Sequence, residues 1–312
     1  MKKDFINQVK VEGYVFDHNL THRVTGEKSK NPGQEFINGT ISVATDPEGT
    51  NVTQVTFAYV TPVYSKSGKP NQTYNVLNQI IEQGVKFTEA GTDATKVSIT
   101  GSINTNDFLG RDGNMVCAKQ IAGSFCNIVQ AISGKPATFQ ADMLINTTRM
   151  REVENDDDYL EVEGYCFNFR GDIIPVTFSC VNPKGIEYFE SQDISKNDPL
   201  FTKVWGEIVS TVVQKEETVE SDWGEPQVNI TSRTFTAWNI TGMKSYEAGF
   251  DDDSTITKDE LVEAEKVRVE YVARRKAEQE EYRNSQSGKA GFPEPKAEKK
   301  TGSPTAIADY TF

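Results

Sequence analysis

Apolar and polar residues alternate along most of the first 245 positions, the two-residue period of strands with one buried face. In the first half this alternation predicts strands near 8–17, 35–45, 52–64, 96–107 and 115–126. Asp46-Pro47-Glu48-Gly49 and Arg111-Asp112-Gly113-Asn114 supply turns between neighbours. Between the third and fourth strands the period changes. Over Tyr74–Glu82 the apolar positions are 76, 77, 80 and 81, the spacing of a helix. The second half predicts strands near 139–149, 159–169, 173–181, 201–213 and 228–243, with a tight turn at Phe169-Arg170-Gly171-Asp172. The segment 182–200 stands where the helix stood in the first half.

A three-residue phrase, β-branched residue, any residue, glycine, punctuates these strands six times. It occurs as Val11-Glu12-Gly13, Ile37-Asn38-Gly39 and Ile99-Thr100-Gly101, then as Val162-Glu163-Gly164, Val204-Trp205-Gly206 and Ile240-Thr241-Gly242. Glycine inside a strand marks a bulge or a sharp bend, and bent strands are what a small closed barrel needs. Three strands, a short helix and two strands is the order of the OB-fold, a five-stranded barrel. The expected fold class is therefore mainly β: two tandem five-stranded OB-like β-barrels plus a C-terminal helix and a disordered tail. The boundaries read as 1–135 for the first barrel, 136–250 for the second, 251–285 for a charged helix and 286–312 for the tail. Ser133-Gly134-Lys135-Pro136 marks the joint between the barrels. One register problem stands. Val11-Glu12-Gly13-Tyr14 lies in the first strand of its barrel, whereas Val162-Glu163-Gly164-Tyr165 falls in the second. Either one bend motif serves different strands, or the second half divides differently.

After Phe250 the pattern changes again. Thr257-Lys258-Asp259-Glu260 is a capping box for a helix over 258–284, with an apolar stripe of Leu261, Ala264, Val267 and Tyr271. From Gln286 onward Gly, Pro, Lys and Ser dominate and predict disorder.

Composition narrows the function. With 36% hydrophobic residues and a mean hydropathy of −0.54, and no apolar run near the ~20 residues a bilayer requires, no membrane partner is expected. Met1-Lys2-Lys3-Asp4-Phe5 lacks the apolar stretch of a signal peptide, so a cytoplasmic location is expected. Cys117, Cys126, Cys166 and Cys180 form no C-x-x-C pair and are expected to be reduced and mostly buried, without zinc. The net charge of −13 is uneven: residues 1–135 carry +1, 136–249 carry −11 and 250–312 carry −3.

Enzymatic signatures are missing. There are two histidines, His18 and His22, in a polar loop with no third metal ligand beside them, and no nucleophile elbow, Walker A loop or Rossmann fingerprint occurs. Asp251-Asp252-Asp253 fails as a calcium loop, because the positions that need Gly and Glu hold Ile256 and Val262. No enzyme activity, cofactor or metal is expected.

Binding is better supported. Sequence-tolerant capture of a single strand needs aromatic platforms and a positive groove. The first half interleaves both. Its 17–35 loop carries His18, His22, Arg23, Lys28 and Lys30. Tyr59 and Tyr64 run into Lys66 and Lys69, Tyr74 opens the helix, Phe108 precedes Arg111, and Lys119 lies on the next strand. These fall on the second and third strands and on the two loops that flank an OB-fold groove. Alternation assigns Phe16, Phe36 and Phe57 to the core, and Tyr59, Tyr64 and Tyr74 to the surface. The aromatics of the second half sit among carboxylates, which repel phosphate. That half is expected to pack on the first, on another subunit of a homo-oligomer, or on a protein partner.

The paired V-E-G-Y words, the β-rich body to about residue 245, Phe201-Thr202-Lys203-Val204-Trp205-Gly206 and the charged extension ending in Phe312 together resemble a bacteriophage single-stranded DNA-binding protein with tandem OB-folds. The resemblance covers most of the chain and is one of layout. It implies a non-enzymatic protein that coats and protects single-stranded DNA in phage replication or recombination. It also implies recruitment of replication proteins through the tail, with Phe312 as the contact. Two other classes stay open: a virion or tail structural protein, revealed by assembly without nucleic acid, and a DNA-mimicking protein-interaction module, revealed by nuclease-resistant capture of a host protein.

Overall fold

The computed structural model describes residues 3–27, 29–64, 67–152, 158–219, 223 and 227–287. The first half contains β1 (Asn7–His18), β2 (Thr21–Val24), β3 (Glu35–Ala44), β4 (Val52–Val60), α1 (Gln72–Gln83), a one-turn α2 (Phe87–Ala90), β5 (Lys96–Leu109) and β6 (Met115–Ile128). The second contains β7 (Ala137–Arg151), β8 (Tyr159–Phe167), β9 (Ile173–Cys180), α3 (Pro183–Glu190), β10 (Leu200–Val219) and β11 (Gln227–Ser245), followed by α4 (Lys258–Ser287). The chain is mainly β with a C-terminal helix, as the alternation predicts. Among the described residues no helix is long and apolar enough to cross a membrane.

Strand pairing closes on itself twice. β1 pairs with β3, β3 with β4, β4 in parallel with β6, β6 with β5, and β5 with β1. In the second half β7 pairs with β8, β8 with β9, β9 in parallel with β11, β11 with β10, and β10 with β7. Each circuit thus runs 1-2-3-5-4-1 in its own strand numbering, with one parallel contact. In both, a helix, α1 or α3, lies between the third and fourth strands. β1 also pairs with β7, Gln8 opposite Gln140 and Lys10 opposite Thr138, so the two circuits share one continuous sheet.

The repeated words occupy non-equivalent strands. Gly13 is on β1, the first strand of its circuit, and Gly164 on β8, the second strand of the other. Both solve the same steric problem from opposite sides. A Cβ on Gly13 would sit 2.0 Å from the Ala44 carbonyl oxygen of β3, and one on Gly164 would sit 2.0 Å from the Leu144 oxygen of β7. At the bend between first and second strands the two backbones touch, and one of them must be glycine. The repeated word is therefore a bend reused, and the strand division stands. The bulges between fourth and fifth strands match in place but not in word, Ser124 of β6 being the extra residue opposite Thr100/Gly101 and Thr241 of β11 opposite Trp205/Gly206.

The main core runs unbroken from one circuit to the other. Phe57, Ile99 and Leu77 belong to the same cluster as Phe139, Phe178 and Trp238. A second cluster seats Phe5 and the start of α4 against the second circuit: Phe5 stacks on Phe167 at 4.3 Å, and Ile256 and Leu261 belong to the same cluster. Asn7 ties the circuits further, its Nδ2 donating to the carbonyls of Ile103 and Phe167, both at 3.0 Å. The capping box forms as read: Glu260 Oε2 accepts from the Thr257 amide at 2.9 Å, and Thr257 Oγ1 accepts from the Glu260 amide at 3.3 Å. Leu261 and Ala264 of the expected stripe pack on the second cluster; beyond them the stripe fails. Val267 and Tyr271 face solvent, and α4 lies down instead through polar residues. All four cysteines are free thiols; Cys117 is exposed and the others are buried.

Candidate nucleic-acid interface

The chain leaves β1 through Asn19, whose Oδ1 accepts from the Thr40 amide at 2.6 Å and so folds the next segment back against β3. There the exposed Thr21–Val24 segment, too polar to read as a strand, pairs with β3 as β2. The loop between them is pinned by Thr25, whose amide donates to the Gln34 carbonyl at 2.9 Å and whose carbonyl accepts from Gly33 at 3.0 Å. Partners across an antiparallel pair share a face. Arg23 is paired with Phe36 and Thr21 with Asn38, so these four share the outer face of β2 and β3. On that face Phe36 packs against Tyr59 of β4, ring centroids 4.6 Å apart and planes inclined by 40°. Tyr59 is 49% exposed. A half-buried Phe supporting an exposed Tyr, with a guanidinium alongside, is a stacking platform with a phosphate contact beside it.

The opposite face of the same strands holds a different set. His22 pairs with the fully buried Ile37; its Nδ1 lies 3.4 Å from Glu35 Oε1 and its ring 6.1 Å from that of Tyr74. The Tyr74 hydroxyl donates to the same Glu35 oxygen at 2.8 Å; burial and that carboxylate push the phenol up to about 12. Tyr74 and His22 therefore brace the hairpin on α1, behind the platform. His18 ends β1 half-buried. Burial and the Lys86 ammonium, itself paired with Asp17 at 2.7 Å, hold its imidazole below the ordinary value, which disfavours the charged form a phosphate would need. After β4 a small turn brings Tyr64 and Lys69 together, the Tyr64 amide donating to the Lys69 carbonyl at 2.9 Å. Both are exposed.

Arg23, Lys30, Lys69 and Arg111 form no ion pair among the described residues, which leaves four cations of this half open to an anionic ligand. Phe108, 39% exposed, and Arg111 sit at the tip of the β5–β6 hairpin. Among the described residues no ring contact joins Phe108 to the Phe36–Tyr59 platform. Lys28, Lys66 and Phe312 lie outside the described residues.

Lys119 is a correction. Its position on β6 suggests a groove-lining cation, but its ammonium turns into the second half, donating to the Thr177 carbonyl of β9. It lies 5.3 Å from the ring centroid of Phe178 and 5.7 Å from that of Trp238. Burial holds its pKa down to about 8. It is a joint between the circuits and is closed to a ligand. Phe36 is a second correction: expected in the core, it lies on the other parity from the buried Ile37, Ile41 and Val43 and so faces outward, while the extra residue of the β3–β4 bulge lies on β4, where the buried positions pass from Val55 and Phe57 to Val60 and leave Tyr59 exposed beside it. Phe125, 55% exposed on β6, was not singled out by the sequence pattern. Among the described residues no group of three or more His, Cys, Asp or Glu is placed to hold a metal ion.

No curated protein matches this chain in sequence. Among solved structures, it is similar to a deletion mutant of the single-stranded DNA binding protein from Thermus aquaticus, at 11% identity and a TM-score of 0.46, covering 80% of this chain and 98% of that one. The wild-type Thermus aquaticus protein gives 11% identity and a TM-score of 0.45, covering 78% and 95%. A family model matches nearly the whole described body, residues 6–285, and on that match the chain belongs to the YorF family.

Proposed function

We propose that this protein binds single-stranded DNA, largely without sequence preference, on the outer face of β2, β3 and β4. The observation that carries the reading is the Phe36–Tyr59 platform with Arg23 on the same face and uncompensated cations on the flanking loops. Each circuit has the strand order of an OB-type barrel, and the first presents its platform on the second and third strands, where such barrels hold oligonucleotides. Stacking on an aromatic is worth about 1–3 kcal/mol per base and is indifferent to base identity. The acidic second half serves as scaffold, since carboxylates repel the phosphate chain. The reading extends to coating and protecting single strands in phage DNA replication or recombination, without enzymatic turnover. The test is a titration of fluorescein-labelled oligothymidine followed by anisotropy at several salt concentrations. Saturable binding is expected, its log affinity falling with log salt by about 0.7 per phosphate neutralised. Absence of binding to any single strand at low salt overturns the proposal.

A further inference from the structure

The β5–β6 hairpin runs on well past the sheet that supports it. β1 pairs with β5 as far as Gly101, and its Asn7 side chain bonds the amide and carbonyl of Ile103; from Asn104 to Leu109, among the described residues, no strand pairs with that edge of β5. Helix α4 takes that place over the last residues. The Gln279 side chain accepts from the Leu109 amide at 2.6 Å and donates to the Asp107 carbonyl at 3.1 Å, the two bonds a neighbouring strand would have made. One turn further, Arg283 donates to the Gly110 carbonyl at 2.9 Å and reaches that of Leu109 at 3.4 Å. Three turns before Gln279, Arg268 grips the Asp107 carboxylate with both terminal nitrogens, at 2.8 and 2.5 Å. Arg268 and Asp107 are 11% and 3% exposed, so the pair is shielded from water and its geometry is fixed. All of these bonds fall on residues 107, 109 and 110. The residue they enclose, Phe108, points the other way and stays open to solvent.

We infer that α4 is a clamp whose Gln279, Arg268 and Arg283 are positioning residues for Phe108 and Arg111, holding the hairpin as a second rigid wall of the single-strand site. The inference rests on the binding surface proposed above. Two-stranded hairpins without lateral support are marginally stable in water, and a stacking residue on a mobile tip gives up affinity to ordering on binding. The clamp removes that cost. It also explains why α4 carries a polar docking face: the groups it must satisfy are backbone amides and carbonyls, which apolar side chains cannot pair.

The test uses the full chain and Gln279→Ala, with Arg283→Ala as a second variant. Hydrogen exchange at the Leu109 amide should quicken in Gln279→Ala while the amides of β3 and β4 keep their protection. Affinity for labelled oligothymidine should fall about tenfold, the loss of a well-placed stack. The slope of log affinity against log salt should not change, because no phosphate contact is lost. Phe108→Ala should cost a similar factor, and the double variant Phe108→Ala/Gln279→Ala little more than either alone, since both act through one side chain. Wild-type affinity in Gln279→Ala, or additive losses in the double variant, overturns the clamp. A wild-type chain that binds no single strand overturns the binding surface instead, and exchange at Leu109 then still decides whether the helix holds the hairpin.

Discussion

Burying Lys119 should leave a signature in the pH dependence of stability. Its ammonium is enclosed by Phe178, Trp238 and the Thr177 carbonyl, and burial lowers its pKa from 10.5 to about 8. At about 1.4 kcal/mol per pH unit, the charged form costs the folded state about 3 kcal/mol. The unfolded chain keeps the ordinary value, so between pH 8 and 10.5 it binds more protons than the folded chain. Stability attributable to this residue therefore rises across that window and levels off above it; below pH 8 both states are protonated and the full cost persists. Lys119→Met keeps the apolar stem and removes the amine. The assay is urea unfolding of both proteins from pH 7 to 10.5, read as wild type minus variant, so that other titrating groups cancel. The difference should climb by about 3 kcal/mol from the low end to the high end. The aromatic faces attract the cation by about 0.5–2 kcal/mol and work against burial. A difference that is flat, or that falls with pH, means the rings and the carbonyl outweigh burial, and the reasoning is refuted.

Tyr59→Ala should weaken oligothymidine binding by about 1–3 kcal/mol with an unchanged salt slope, whereas Arg23→Ala should lower that slope by about 0.7; anisotropy titrations separate the two. Gly164→Ala drives a Cβ to 2.0 Å from the Leu144 oxygen; a loss above about 4 kcal/mol is expected in urea unfolding, with collapse of soluble yield as the extreme. Arg268→Ala strands the buried Asp107 carboxylate and should cost about 3–5 kcal/mol, part of which Asp107→Leu in the same chain recovers.

The strands were legible because burying one face imposes alternation on the chain itself: β5, predicted over 96–107, spans Lys96–Leu109. What escaped depends on partners distant in sequence. β2 has no apolar face of its own, and β3 makes it a strand. A lysine in an alternating segment reads as solvated, and only β9 and β11, contributed by the other half, bury Lys119. The polar face of α4 resembles any solvated helix until the bare edge of β5 is in view. Within the candidate site, Arg23, Lys69 and Tyr59 were legible as exposed groups near strand ends. The Phe36–Tyr59 contact was not, because a bulge resets the phase of alternation and leaves no local trace.

The seam at β1 bears on how this chain folds. Val9 stands opposite Gly101 of β5 on one side and Phe139 of β7 on the other. One early segment thus waits for two partners that arrive far later in the sequence, and the closure entropy of both loops falls due before either contact is complete. High contact order of this kind places folding in the millisecond-to-second range. During that interval β1 is an unpaired edge with one apolar face, open to pairing with any other chain in the same state. Cutting the chain between the circuits would make that interval permanent for both fragments, so they should refold efficiently only in each other's presence.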